Sequence, residues 1–363
     1  MRSKRGLGGL FFLAVLSACW SSSSGTPAEA KPEAGPCGMP AEAGATASVP
    51  LPGLETGYSF DDLRYSPTLH AMMVPGGYTG NIYLVDPDTL AVTTIGGFTK
   101  GTSSTLGAST LDEGGGYIFV GDRTSNQLLV VDPTQKTVVA QVATAGYPDY
   151  VRYIPTRNEV WIEEAYNFQV EIFTLPASGT PTPVHAAVIA PGGIPEGLGV
   201  DTKTGKIFSH NLLGPSIFEF DSSTRMKTAT WPVACTAVSA GNTTHGNATV
   251  DSDRGFVFAG CADAKVTVFD ESTAKVLDTY NMGAGASLSA YAPALHHFYF
   301  RADNALPVAT FDVASTGKLS LLTKVNAAKV GHCLAADDRH HVWTCDEAKG
   351  AVLRLDDAFP ACP

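Results

Sequence analysis

A β-rich run that closes on a polar residue and a turn returns seven times along this chain, and no other feature restricts its fold as strongly. The closing residues are Asp86 in "NIYLVDPDT", Asp132 in "LLVVDPTQ", Thr174 in "VEIFTLPA", Asp221 in "IFEFDSST", Asp270 in "VTVFDEST", Asp312 in "VATFDVAS" and Asp356 in "VLRLDDAF". Their intervals are 46, 42, 47, 49, 42 and 44 residues. Each copy holds a first strand, a turn with Gly, Asp or Asn ("PTRNE", "DTKTGK", "DSDRG"), a second strand ("VWIEE", "IFSH", "FVFAG"), a loop, the third strand, and a fourth strand such as "KTVVAQVAT". β-branched and aromatic residues in short runs between turn residues are what such strands need. The expected fold is therefore all-β, a seven-bladed β-propeller with four strands to the blade.

The last copy is incomplete, because only "DAFPACP" follows Asp356. Its fourth strand is expected from the start of the domain, near "ATASVPLP", which closes the ring and removes a sheet edge. Cys37 and Cys362 flank the two segments that must meet, so a disulfide between them is predicted, a clasp over a very long loop. Six of the seven cysteines remain when Cys19 is set aside, and six allow 15 pairings. In a propeller the loops from fourth to first strand and from second to third strand share one face. Cys235 falls in the first kind of loop and Cys261 at the start of the second, which predicts that pair. Cys333 begins a first strand and Cys345 ends the neighbouring second strand, which predicts the other. A thiolate metal site is the rival reading.

The chain opens with "MRSKRGLGGLFFLAVLSACW", a basic start, an apolar run too short to span a bilayer, and small residues before a cysteine. Residues 1–18 are expected to be a lipoprotein signal peptide. "LSAC" resembles the lipobox of bacterial lipoproteins, which implies that Cys19 is acylated and the protein lipid-anchored in the cell envelope. Cleavage without acylation would leave Cys19 a spare thiol. Residues 19–48 are rich in Ala, Pro and Ser, a flexible tether, and the propeller is expected over 49–363. Net charge is −11, and removal of Arg2, Lys4 and Arg5 makes it −11 − 3 = −14. An acidic chain without a basic cluster excludes phosphate backbones, so no nucleic-acid partner is expected.

When the copies are aligned on "PDYVRYIPTRNEVW", Asp149 stands at the mouth of an inner strand. Asp61, Leu106, Glu196, His245, Ser287 and His332 take the equivalent places. Carboxylates and imidazoles ringed at one end of a channel suit zinc or another divalent cation. Asp149, Glu196 and His245 come from consecutive blades, and His210 lies in the loop after a second strand on the same face. The candidate ligands are thus His245, His332, Glu196, Asp149, His210 and Asp61. A ring that holds only water is the open alternative. His296, His297, His340 and His341 fall at first-to-second-strand turns on the opposite face, and His70 and His185 have no evident partner in the sequence. All six are read as surface or packing residues.

"YPDYVRYIPTRNEVWIEE" and "IPEGLGVDTKTGKIFSHNLLGPSIFEFD" resemble the repeats of the YVTN or YncE-like β-propellers. A narrower likeness runs through Cys235, His245, Gly246, Gly260, Cys261, Ala262 and Asp263, which together resemble the periplasmic zinc-binding propellers that serve zinc ABC importers. That resemblance implies a zinc-holding role for His245. The expected function is a non-enzymatic binding protein for a divalent, zinc-like metal at the channel mouth. It acts as a monomer, held to the membrane by its lipid in the periplasm or outer membrane, with a possible envelope protein partner. Two alternatives stay open: a metal-dependent hydrolase of lactonase type, and a scaffold with an empty channel. No catalytic residue is assigned.

Overall fold

The computed structural model describes residues 46–54, 60–101, 107–235, 248–282, 287–302, 307–328 and 331–359. All of them lie in one compact unit, Ala34–Pro363. Strand β1 (Thr46–Pro50) comes first. Blade one is β2 (Arg64–Ser66), β3 (Ala71–Pro75), β4 (Asn81–Val85) and β5 (Val92–Gly96), and blade two is β6 (Ala108–Gly114), β7 (Tyr117–Asp122), β8 (Gln127–Asp132) and β9 (Thr137–Ala143). Blade three is β10 (Tyr150–Ile154), β11 (Glu159–Glu164), β12 (Gln169–Thr174) and β13 (Val184–Ile189), and blade four is β14 (Pro195–Val200), β15 (Lys206–Asn211), β16 (Ser216–Asp221) and β17 (Met226–Pro232). Blade five is β18 (Thr249–Asp251), β19 (Phe256–Gly260), β20 (Lys265–Asp270) and β21 (Lys275–Asn281). Blade six is β22 (Ser287–Ala292), β23 (His297–Ala302), β24 (Pro307–Val313) and β25 (Leu319–Asn326). Blade seven is β26 (Leu334–Ala336), β27 (His341–Asp346) and β28 (Ala351–Asp356), completed by β1 in the order β1-β28-β27-β26.

The ring therefore closes with the N-terminal strand, as the incomplete last repeat requires. Val49 pairs with Val352 and Pro50 with Ala351. The strand opens at Thr46, ahead of the boundary expected near Val49, because its pairing with β28 already starts at Leu355.

The seven repeat positions all fall at or within one residue of the end of a third strand, and hydrogen bonds explain the identity of four of the aspartates. Asp86 Oδ1 accepts the N–H groups of Asp88 and Thr89 at 2.9 and 2.7 Å, and Asp132 Oδ1 those of Thr134 and Gln135 at 2.8 and 2.9 Å. Asp221 and Asp270 tie their turns in the same way. A carboxylate at this place satisfies amides the ladder no longer reaches. The fourth residue on adopts positive φ, as at Leu90, Lys136, Arg225 and Ala274, and reverses the chain into the outer strand. Thr174 departs from the pattern, its hydroxyl donating to the Val184 carbonyl at 3.3 Å across a longer loop.

Between blades the faces of the middle strands meet in apolar layers. Phe258 stacks on Phe298 with centroids 4.5 Å apart, and Trp161 packs edge-on against Phe220. Middle strands are buried on both faces and read as continuous apolar runs, whereas outer strands such as β9 and β21 alternate toward solvent. Cys235 bonds to Cys261 and Cys333 to Cys345. Cys19, Cys37 and Cys362 lie outside the described residues.

Candidate functional site

The chain enters each inner strand at the same end of the channel where it leaves the second strand, so residues distant in sequence converge there. Asp149 immediately precedes β10, and its N–H donates to the Glu163 carbonyl at 2.8 Å. Glu163 stands near the end of β11, opposite Tyr150. Glu196 comes from the neighbouring blade on β14, its N–H held by Ser209 Oγ at 3.0 Å. The register of β14 slips between Glu196 and Gly199, and Gly197 there has φ of 69°, so the strand bends where its carboxylate is presented. One carboxylate oxygen from each of Asp149, Glu163 and Glu196 lies within 4.8 Å of the others, and all three residues are buried.

Three carboxylates in so little space repel one another, and burial denies them water. Burial, with Glu196 beside it and Asp61 adding to the field, pushes the Glu163 carboxyl well above the usual carboxylate range, while the Gly197 N–H and the Arg123 guanidinium pull it back. Neither Glu163 oxygen reaches hydrogen-bond geometry with a protein donor. Arg123, just beyond β7, donates to both Asp61 and Asp149, and lies 5.0 Å from the centroid of the Tyr147 ring. The next residue, Glu164, has its carboxyl pushed up to about 7 by burial, against hydrogen bonds from Gln169 and Gly146 and with help from Glu171.

The donors brought together here are oxygens. Three atoms no more than 4.8 Å apart share a centre at most about 2.8 Å from each (4.8/√3), which a small contraction brings to the distances of calcium and a larger one to those of manganese. The orphaned Glu163 carboxyl is the group such an ion would satisfy. Zinc prefers nitrogen and sulfur beside oxygen, and among the described residues no histidine nitrogen completes this trio.

The six predicted ligands are thus divided. Asp149 and Glu196 come together. Asp61 stands on the far side of Arg123, with His332 Nε2 3.9 Å from its Oδ1, and the His332 N–H donates to Glu347 Oε1 at 2.9 Å. His210 is fully buried on β15, in register with Glu196 but outside the trio. His245 and Leu106 lie outside the described residues.

Glu163, Arg123 and the charge pair below them escaped the sequence reading. Arg152, on β10, reaches across the channel to Asp62 with both terminal nitrogens, at 2.5 and 2.9 Å, and its Nε donates to the Leu198 carbonyl at 3.0 Å. Thr110 Oγ1 donates to the same carboxylate at 2.8 Å. The available signal was a charge inside an apolar inner strand, as in "DYVRYI", or a doubled acid ending one, as in "VWIEE".

The other histidines are more engaged than their sequence suggested. His297 begins β23, is fully buried and hydrogen-bonds Asp357 Oδ2 at 2.6 Å, while His341 bonds Asp337 at 2.8 Å. His70 meets Asp88 at 3.0 Å, and His185 lies 3.4 Å from Glu171. Each pairs with an acid from another strand or turn, which spacing along one strand cannot reveal.

No family model and no curated protein matches this chain. Solved structures do. A chain of the hydrazine synthase of Kuenenia stuttgartiensis superposes with a TM-score of 0.68 at 11% identity, over 84% of this chain and 97% of that one. The Cps50 (Swd1) β-propeller domain of Myceliophteria thermophila gives 0.67 at 12%, over 85% and 99%. A chain of a mitotic checkpoint complex gives 0.67 at 11%, over 96% and 99%. Identities this low carry the architecture and nothing finer, so the chain is similar to these proteins as a seven-bladed β-propeller.

Proposed function

We propose that this chain is a binding protein of the bacterial cell envelope, anchored through Cys19, whose propeller holds a divalent cation between Asp149, Glu163 and Glu196. The observation that carries this reading is the Glu163 carboxyl, fully buried beside two further acids, with the Gly197 N–H near it but neither oxygen in full hydrogen-bond geometry with a protein donor. An ion would supply the missing charge. The all-oxygen trio favours calcium or manganese over the zinc that the local likeness around His245 implies. Burial of all three acids favours holding an ion over presenting it to a substrate, which places a hydrolase behind a binder. A scaffold without an ion is the second reading, and one observation favours it: a proton on Glu163 would relieve the pocket equally well.

The test is metal content by mass spectrometry on the full chain, purified without a metal-binding tag, followed by calcium, manganese and zinc loading. About one ion per chain, lost in Glu163→Gln while the metal-free variant melts no lower than the metal-free unaltered chain, supports the cation. A chain that stays metal-free after loading with all three, and whose stability no ion changes, leaves the protonated scaffold.

A further inference from the structure

At the opposite end of the channel, where the turns between first and second strands gather, a cavity of about 600 Å³ opens to solvent. That volume is in the range of small-molecule sites. Its floor is apolar, formed by Leu63, Leu198, Ala248 and Leu334, and the Arg152–Asp62 pair closes the channel beyond it. Around its waist stand polar and aromatic side chains, among them Arg64, Glu113, Tyr153, Asp251 and Tyr291. At its rim Lys203 and Asp253 pair with each other at 2.6 Å.

The charges of this waist do not balance. Arg64 is engaged with Asp112 at 3.2 Å. Asp251 of the lining is matched from behind by Arg254 at 2.6 Å, which also reaches Tyr291 at 2.5 Å. Glu113 is left with neutral donors alone, the Ser66 hydroxyl at 3.0 Å and the Gly116 N–H at 3.4 Å, and no cation of the described residues pairs with it. The Tyr153 ring stands beside it. It can do so because residue 114 is glycine, where a Cβ would come within 1.9 Å of the ring. Burial and the Glu113 charge both raise the Tyr153 phenol, as close approach of the two requires. The net charge of −11 adds a field that draws cations toward such a cleft.

We propose that this cavity binds an organic ammonium ion, with its hydrocarbon part on the Leu63–Leu198–Ala248–Leu334 floor and its nitrogen against Glu113 and the Tyr153 ring. A carboxylate next to an aromatic face favours a cation over a neutral molecule of equal size. An anionic ligand is disfavoured, because the basic side chains of the lining are already paired. The site is independent of the carboxylate trio, which lies at the other end of the channel.

The test is calorimetric titration of the full chain with 2-phenylethylammonium, 2-phenylethanol and 3-phenylpropanoate, in the absence of added metal. The ammonium ion should bind about tenfold more tightly than the alcohol, and the carboxylate more weakly than both. Glu113→Gln should bring the ammonium affinity down to that of the alcohol and leave the alcohol unchanged, which a misfolded variant would not do. Raising the salt concentration on the unaltered chain should weaken the ammonium alone. Equal binding of ammonium and alcohol, stronger binding of the carboxylate, or no heat from any probe at concentrations of about 10 mM would overturn the proposal.

Discussion

Two groups of buried charge stand a few residues apart along the channel, and they are built on opposite plans. Asp62 and Arg152 meet in a two-pronged pair, and the lone pairs and protons left over go to Thr110 and to the Leu198 and Val151 carbonyls. The field of Asp62 and Asp112 raises the Arg152 guanidinium still further, although burial opposes it. Asp149, Glu163 and Glu196 gather like charges, Asp149 shares the Arg123 guanidinium with Asp61, and neither Glu163 oxygen reaches full hydrogen-bond geometry with a donor. A closed pair joins blades one to four and asks nothing of the surroundings. An open trio is destabilised until something binds it. The difference separates a group that holds the ring together from one that can recognise a ligand.

The largest expected effect comes from breaking the closed pair. Asp62→Ala strands a fully buried guanidinium and should cost about 3–5 kcal/mol in urea unfolding. Replacing both partners, as Asp62→Leu with Arg152→Met, should recover most of that loss. If the double variant is as unstable as the single, the pair is not closed on itself and the contrast fails.

The trio should respond in the opposite direction. Glu163→Gln removes an uncompensated carboxylate, and in metal-free protein at neutral pH it should raise stability by on the order of 1–3 kcal/mol. The sign follows from linkage: the folded pKa of Glu163 lies above its unfolded value, so its stabilising proton is fully present below the ordinary glutamate range and lost as pH rises through the folded pKa. Unfolding free energy against pH should fall in that direction for the unaltered chain and fall less in the variant, where Glu164 and Glu271 still contribute. Saturating calcium or manganese should remove the part of the fall that Glu163 contributes if the trio holds an ion.

Glu271 offers a control for that pH dependence away from the channel. Burial first, then its contact with Asp201, pushes its carboxyl up to about 7. Its contribution is present below the ordinary glutamate value of 4.5 and lost toward about 7, so Glu271→Gln should flatten the curve in that window alone. No metal ion should restore it. The smallest effect is at the repeat turns, where Asp132→Ala gives up two amide hydrogen bonds to Oδ1 and should cost about 1 kcal/mol. It should leave both charge groups untouched, by metal binding and by pH profile.

Much of the architecture was legible because its causes are local. The Asp that closes four of the third strands ties the turn within three residues of itself, so the repeat appears in one dimension. The missing strand after Asp356 pointed to β1 because a ring must close. The candidate site was legible only in part. Alignment of first strands brought Asp149 and Glu196 into one set, since equivalent positions of neighbouring blades are neighbours in space. Glu163 belongs to a second strand and joins them across a hairpin, so a comparison of first strands alone passes over it. His332 takes the equivalent position and still faces Asp61, because Arg123 occupies the space between that acid and Asp149.

The sequence by itself determined the number of blades, the strand order within them, the N-terminal closure and the Cys235–Cys261 and Cys333–Cys345 partners. All of these follow from periodicity, turn chemistry and chain connectivity, which act between residues close in sequence or equivalent by repeat. Only the tertiary structure decided which charges cancel. Asp62 meets Arg152 across 90 residues and Asp61 meets Arg123 across 62. Whether a buried carboxylate finds a cation depends on the direction of single side chains into a shared channel, and a repeat that places backbones alike leaves those directions free.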